Sequence, residues 1–282
     1  MATTKHIAFE GRKIPHLSVG DVEGGKCLAK HEPGFKEQSC FHRWQAFKKA
    51  LENKGKYKLD RTRLGKVGTG RWSILFRGGA KTVNALKAKG EKHVSVSPDN
   101  KGMYLHEVNK PSKEEDWDVD PGNRNFKWDC NVPYYHEAHH VIPDATLRTG
   151  LLEVFKKNAA VAAWVAEKML DAPYCVHHKD NMLILPMDQL VGEVLELPIH
   201  RETKQCSHNL YDIYILSKVK EAIQEVQEQI MEEHDKQDEN APKTKNLAKS
   251  LETVARTTYE EVAEARKKHG IVSVEEIGRR NQ

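Results

Sequence analysis

Seven of the fifteen histidines lie between His136 and His208: His136, His139, His140, His177, His178, His200 and His208. Imidazole titrates nearer neutrality than any other unperturbed side chain, at a pKa of about 6.5, and in its neutral form it is the commonest metal ligand. A cluster of imidazoles therefore points to two chemistries, proton transfer near pH 7 and metal ligation. His139 and His140 are adjacent, and neighbours on an extended strand face opposite sides. They cannot serve one purpose as a simple pair. The five cysteines (Cys27, Cys40, Cys130, Cys175 and Cys206) form an odd, scattered set without a CxxC pair, which suits reduced thiols better than a disulfide framework. Cys175 and Cys206 keep a structural zinc site open as an alternative, since such sites normally draw on thiolates.

The elements that must position these groups are legible in outline. The run NMLILP at 181–186 predicts a short buried strand ending at a proline. Residues 144–170 predict one helix, with Leu152, Phe155, Val161 and Trp164 on apolar faces and Pro173 beyond its end. Ser207 is the expected N-cap of a long helix running to about 233, whose stripe Leu216, Val219, Ile223, Val226 and Ile230 should pack inside the molecule rather than form a dimer seam. A last helix with Leu247, Leu251, Val254 and Val262 runs to Gly270. Upstream, Phe41, Trp44, Phe47, Ala50 and Leu51 mark a helix over 40–53 that Gly55 stops. Residues 1–25 read as irregular with one short strand, and further strands are expected within 56–79, 92–97 and 102–108.

The chain of 282 residues is long enough for two domains. No apolar run approaches the roughly 18 residues that a membrane span needs, and the N-terminal residues lack the layout of a secretory signal. The net charge of +4 hides an asymmetry: residues 1–110 hold 23 Lys/Arg against 10 Asp/Glu, and the remainder is net acidic. A basic half beside an acidic half points to a polyanion or an acidic partner. GKVGTG at 65–70 lacks the order of a phosphate loop. Asp116, Asp118 and Asp120 have the opening spacing of a calcium loop, but Pro121 and Lys127 stand where that loop needs Gly and Glu, so a turn is expected. The Pro- and Asp-rich stretch at 111–130 is read as a linker between a basic α+β region (1–110) and a second domain (131–235), with a C-terminal helical extension (236–282).

Three segments, EAHHVIP (137–143), HHKDNMLILP (177–186) and LPIHRETKQCSHNLYDIY (197–214), occur in an order that resembles the AHH family of HNH/endonuclease VII-like nucleases. Asn181, Leu185 and Pro186 match one part of that pattern, and Leu197, Pro198, His200, Arg201, Ser207, His208 and Tyr211 another. The likeness spans 137–214. It departs from the family in placing five residues, Glu202 to Cys206, between the motifs carrying His200 and His208, and Asn209-Leu210 where a proline is usual. The resemblance implies an α+β fold with a ββα-metal finger and flanking helices. It also implies His139, His200 and His208 as ligands of one divalent ion (Zn, Mg, Mn or Ni), and His140 as general base. Asn181 would hold the intervening loop through its amide, and Arg201 would contact the phosphate. His177 and His178 are expected in a solvated turn, although either could replace His208; His136 is left without a role. Tyr211, three residues after His208, would orient it or simply pack.

The activity so implied is hydrolysis of DNA, rather than RNA, to products with a 5′-phosphate. Members of this family are often interbacterial toxins or secretion-system effectors, which implies an immunity protein with an acidic surface and a secretion-apparatus or chaperone partner. No membrane partner is implied. Such a chain would sit in the producer's cytoplasm and leave by a signal-peptide-independent, type VI-like route. Residues 1–110 would grip nucleic acid or dock to the delivery machinery. A phage-borne or housekeeping endonuclease with the same chemistry, and a non-catalytic zinc-stabilised binding module, remain as alternatives.

Overall fold

The computed structural model describes residues 42–58, 71–92, 94–98, 102–109, 119, 134–172, 174–202 and 208–282. In chain order they form α1 (His42–Glu52), a 3-10 turn (Lys54–Tyr57), β1 (Arg71–Arg77), α2 (Ala80–Ala88), β2 (Val94–Val96), β3 (Met103–Asn109) and β4 (His136–His140). There follow α3 (Asp144–Val154), α4 (Ala159–Asp171), a second 3-10 turn (Lys179–Asn181), β5 (Met182–Pro186) and α5 (Gln189–Leu195). The chain closes with α6 (Asn209–Gln224), α7 (Gln227–Asp235), α8 (Pro242–His269) and α9 (Val274–Arg280). The protein is α+β, with helix predominant. The expectations for 1–25, 65–70, Asp116, Asp118, Asp120, Pro121, Lys127, Pro173, Ser207, Cys27, Cys40, Cys130 and Cys206 fall outside the described residues.

Two antiparallel sheets are present among the described residues. In the first, β3 lies between β1 and β2, with Arg71 opposite Asn109 and Val94 opposite His106. In the second, β4 pairs with β5. Val141 N–H donates to Asn181 O at one end and Met187 N–H to Tyr135 O at the other, at 3.0 and 2.9 Å, so these strands too run antiparallel. The chain clusters into two compact units, one of Met1–Lys49, Ala138–Leu183 and Asp212–Glu261, the other of Ala50–Glu137, Ile184–Tyr211 and Val262–Gln282. Both draw on noncontiguous stretches, and β4, β5, α6 and α8 each contribute residues to both.

In the first unit the expected helix over 144–170 is two helices. Lys156 and Lys157 take left-handed φ values of 53° and 60°, and Asn158 then caps α4, its side chain accepting from the Ala160 and Val161 N–H groups. The apolar period continues on both sides of this corner and conceals it; the cap chemistry of Asn158 is the local signal. The helix expected from Ser207 to about 233 is likewise interrupted, at Glu225–Val226. Its stripe packs internally as expected: Val219, Ile223 and Ile230 are fully buried. Gly150 on α3 faces Val219 so closely that a Cβ would lie 2.7 Å from its Cγ1. Glu233, buried on α7, accepts from the Lys243 and Thr244 N–H groups and from the Thr244 hydroxyl. It thereby satisfies the open donors at the start of α8 and opposes the helix dipole.

In the second unit Val83, Val94, Tyr104 and Met187 form one apolar cluster with Leu86 and Tyr135 against it. This ties α2 and the first sheet to the residues flanking β4 and β5. Ile199 bridges Ser273 in parallel, its N–H donating to Val272 O and its carbonyl accepting from Val274 N–H. Ser273 caps α9, and Glu275 accepts from Leu210 N–H at the first turn of α6. Gly278 on α9 meets that same turn: a Cβ there would lie 2.2 Å from Leu210 C and Tyr211 N. Backbone cannot yield as a side chain can. Gly278→Ala is therefore expected to destabilise the protein by about 1–3 kcal/mol, the range for overpacking, with urea denaturation as the measurement; an unchanged midpoint would refute the contact.

Candidate metal centre

Strand β4 reads His136-Glu137-Ala138-His139-His140. The two-residue period puts Glu137 and His139 on one face, and His136, Ala138 and His140 on the other. His139 is fully buried. Its ring, that of His200 and that of His208 each offer a ligand nitrogen, and these atoms all lie within 4.8 Å of one another. His200 is buried and sits just beyond Ile199, its backbone N–H donating to Pro186 O at the end of β5. His208 immediately precedes α6. Its ring lies 5.2 Å from that of His200 and meets the fully buried Tyr211 edge-on at 5.7 Å. Three imidazole nitrogens with no thiolate are a donor set that suits one Zn, Ni or similar ion. Cys175 is buried and is not part of this group.

One residue that matters to the site went unassigned in the sequence, and another was placed differently. Glu137 accepts from His200 Nδ1 at 2.8 Å and from Arg201 Nη2 at 2.7 Å. Burial acts to raise the Glu137 carboxyl, but the His200 hydrogen bond and the charges of His200 and Arg201 override it and hold the pKa at about 2. His200 is pushed below the ordinary imidazole range by its burial, against the pull of Glu137. With the Glu137 carboxylate ionised, His200 Nδ1 supplies the N–H between them. A carboxylate can only accept, so Nδ1 carries the proton and Nε2 keeps its lone pair for a metal. The signal in the sequence was Glu137's place two residues before His139, on the same strand face.

The residue placed differently is His177. The expectation of a solvated turn is corrected for it: His177 is buried, and its Nδ1 lies 2.8 Å from His140 Nε2. It faces inward because Asn181, also buried, donates from Nδ2 to Val176 O at 2.8 Å and to Ile142 O at 2.9 Å, while its Oδ1 accepts from Ile142 N–H at 2.7 Å. The Asn181 amide thus joins the exit of β4 to the loop before β5. His178 is half-buried and accepts from Asp180 N–H, capping the second 3-10 turn. Burial acts to raise the Asp180 carboxyl, but the hydrogen bond and charge of Lys49, 2.8 Å away, bring it below the usual range. His136 keeps to Tyr134 O at 2.9 Å. Arg201 has one nitrogen on Glu137, with its side chain 31% exposed.

Comparison of the chain with protein-family models, with curated proteins and with solved structures finds no match. Glu137 yields a direct test. Its depressed pKa adds stability that is complete above the unfolded value near 4.5 and is lost as pH falls through about 2. Glu137→Gln should flatten the acid limb of a pH–stability curve over that window. Glu137→Ala should weaken metal binding by about 10–100-fold in calorimetric titration; unaltered affinity would exclude the orienting role.

Proposed function

We propose that the chain is a metal-dependent nuclease of the HNH/AHH type, with β4, β5 and α6 as its ββα-metal finger and DNA as its substrate. The observation that carries this reading is the convergence of His139, His200 and His208 beside a fourth imidazole, His140, on the opposite face of the same strand. Ligation and proton transfer thus fall to adjacent residues without competing for one ring.

Hydrolysis of a phosphodiester needs a water deprotonated near neutral pH and charge neutralised on the phosphate and the leaving oxygen. His139, His200 and His208 would hold the ion. A divalent cation there supplies Lewis-acid stabilisation of the phosphate and of the departing alkoxide. His140 takes the proton of the attacking water as general base. Asn181 keeps that base in place, since Ile142, which it grips twice, follows His140 by two residues. Arg201 can turn its exposed edge to a phosphate oxygen while Glu137 keeps it oriented. The recognition so provided is mainly of backbone rather than of bases.

The basic 1–110 region suits a role in gripping the phosphate backbone. On the same reading the protein is an interbacterial toxin or secretion-system effector, paired with an immunity protein whose surface is acidic. A plasmid-cleavage assay with Mg²⁺, Mn²⁺, Zn²⁺ or Ni²⁺ tests the chemistry. His140→Ala is expected to lose activity by about 10²–10⁴-fold while still binding metal, and His139→Ala to lose both. Wild type that leaves plasmid intact with every ion, but still shifts it on a gel, would make this a zinc-stabilised binding module instead. Toxicity on cytoplasmic expression, relieved by a neighbouring gene product, separates a toxin from a housekeeping endonuclease.

A further inference from the structure

Helix α2 carries a charge that the metal centre does not use. Val83 and Leu86 fix which side of it faces inward, against Val94, Tyr104, Tyr135 and Met187. At about 100° per residue, Lys81 then lies opposite that seam and Lys87 and Lys89 lie on its two flanks, with Lys92 following before β2. All four lysines are exposed, and none has an ion-pair partner among the described residues. Two lysines of the preceding segment, by contrast, are neutralised within the chain, Lys49 by Asp180 and Lys56 by Glu264. The stretch from 80 to 92 holds one acid, the half-buried Glu91. It lies near Tyr104, whose hydroxyl is pushed up by burial and then by the Glu91 charge.

Every exposed residue from 80 to 92 is Lys, Ala, Asn or Gly. A helix that lies on a membrane inserts bulky apolar or aromatic side chains, and a protein partner is held by aromatic or Arg anchors. This surface offers neither. It offers ammonium groups on flexible stems around a crown of small residues, over which a repeating anion can approach closely. An ammonium is a point charge that meets a phosphate without a fixed plane. Lys81 to Lys89 spans about 12 Å of helix, and a DNA duplex carries one phosphate per roughly 1.7 Å of axis, so partners are present in any register. We infer that α2 is a sequence-independent grip for the phosphate backbone of duplex DNA, with Lys81, Lys87, Lys89 and Lys92 as its contacts. The choice of DNA rests on the nuclease reading; the polyanion surface rests on α2 alone. Because Val83 and Leu86 pack with Tyr135 and Met187, the grip is fixed to the end of the β4–β5 pair where those two residues bond.

The test is fluorescence anisotropy of a short labelled duplex with the full chain, in a salt series with chelator present so that nothing is cut. Replacing all four lysines with Ala, the strongest helix former, should reduce the slope of log Kd against log salt by about 3–4, at 0.9 per phosphate contact. Binding at low salt should weaken by at least about tenfold, with the circular dichroism spectrum unchanged. Lys220→Ala with Lys236→Ala, which removes two lysines already paired with Glu153 and Glu232, should leave the slope alone. A duplex of unrelated sequence should give the wild-type slope, since backbone contacts carry no base information. The inference is overturned if the folded quadruple variant keeps the wild-type slope, if the Lys220 and Lys236 control loses as much, or if the slope depends on sequence. It is overturned equally if wild type binds no duplex, whether or not it binds phosphatidylserine vesicles. Wild type that binds duplex but cuts no plasmid with any ion removes the nuclease reading and leaves the grip. Should the quadruple variant not fold, Lys81→Gln with Lys87→Gln, and Lys89→Gln with Lys92→Gln, should each reduce the slope by about half as much; no change in either pair overturns the inference.

Discussion

A buried carboxamide must place its donors and acceptor on other groups or lose free energy, and Asn181 does so entirely on backbone. It binds both polar groups of Ile142 and the carbonyl of Val176. These lie on two segments far apart in sequence, the exit of β4 and the loop that leads back to β5. Once they are joined, the direction of β4 is set at its C-terminal end and the loop carrying His177 is held inward. The Val141–Asn181 backbone bond continues the same constraint into the strand pair. Replacing this amide with an apolar side chain would leave three backbone groups to find new partners, each at a cost of about 1–3 kcal/mol if buried.

From that strand the rest of the site follows by alternation. Odd positions in β4 carry Glu137 and His139, even positions carry His136 and His140. One face meets the imidazoles of His200 and His208, and the other meets His177. A slip of one residue would move His139 off the face it shares with Glu137 and away from His200 and His208, so the register of β4 on β5 decides which imidazoles meet. Glu137 adds a second level of control, because it directs the His200 ring and holds Arg201 at the same time. Its low pKa means that both interactions persist across the whole neutral range.

The helices were harder to read than the strands. Continuous apolar periodicity over 144–170 and over 207–233 implied two long helices, yet each is interrupted. Lys156 and Lys157 adopt left-handed backbone that carries no compositional mark, and only Asn158, a cap residue, hints at the new start. Periodicity reports which face is buried, not whether the axis runs straight. The compact units show the same limit on a larger scale: segments from the basic N-terminal region, from the histidine-rich stretch and from the C-terminal helices occur together in both.

The sequence by itself determined the inventory and the faces: an α+β chain, strands expected at 181–186, 92–97 and 102–108, and an opposed His139 and His140. These are local properties, carried by residue type and by periods of two and 3.6. Tertiary structure alone decided the company each group keeps. That His177 turns inward to His140, that Glu137 reaches across 63 residues to His200, and that Gly278 lets α9 touch the first turn of α6 are long-range pairings. Their partners are set by chain path and packing, which no local pattern encodes.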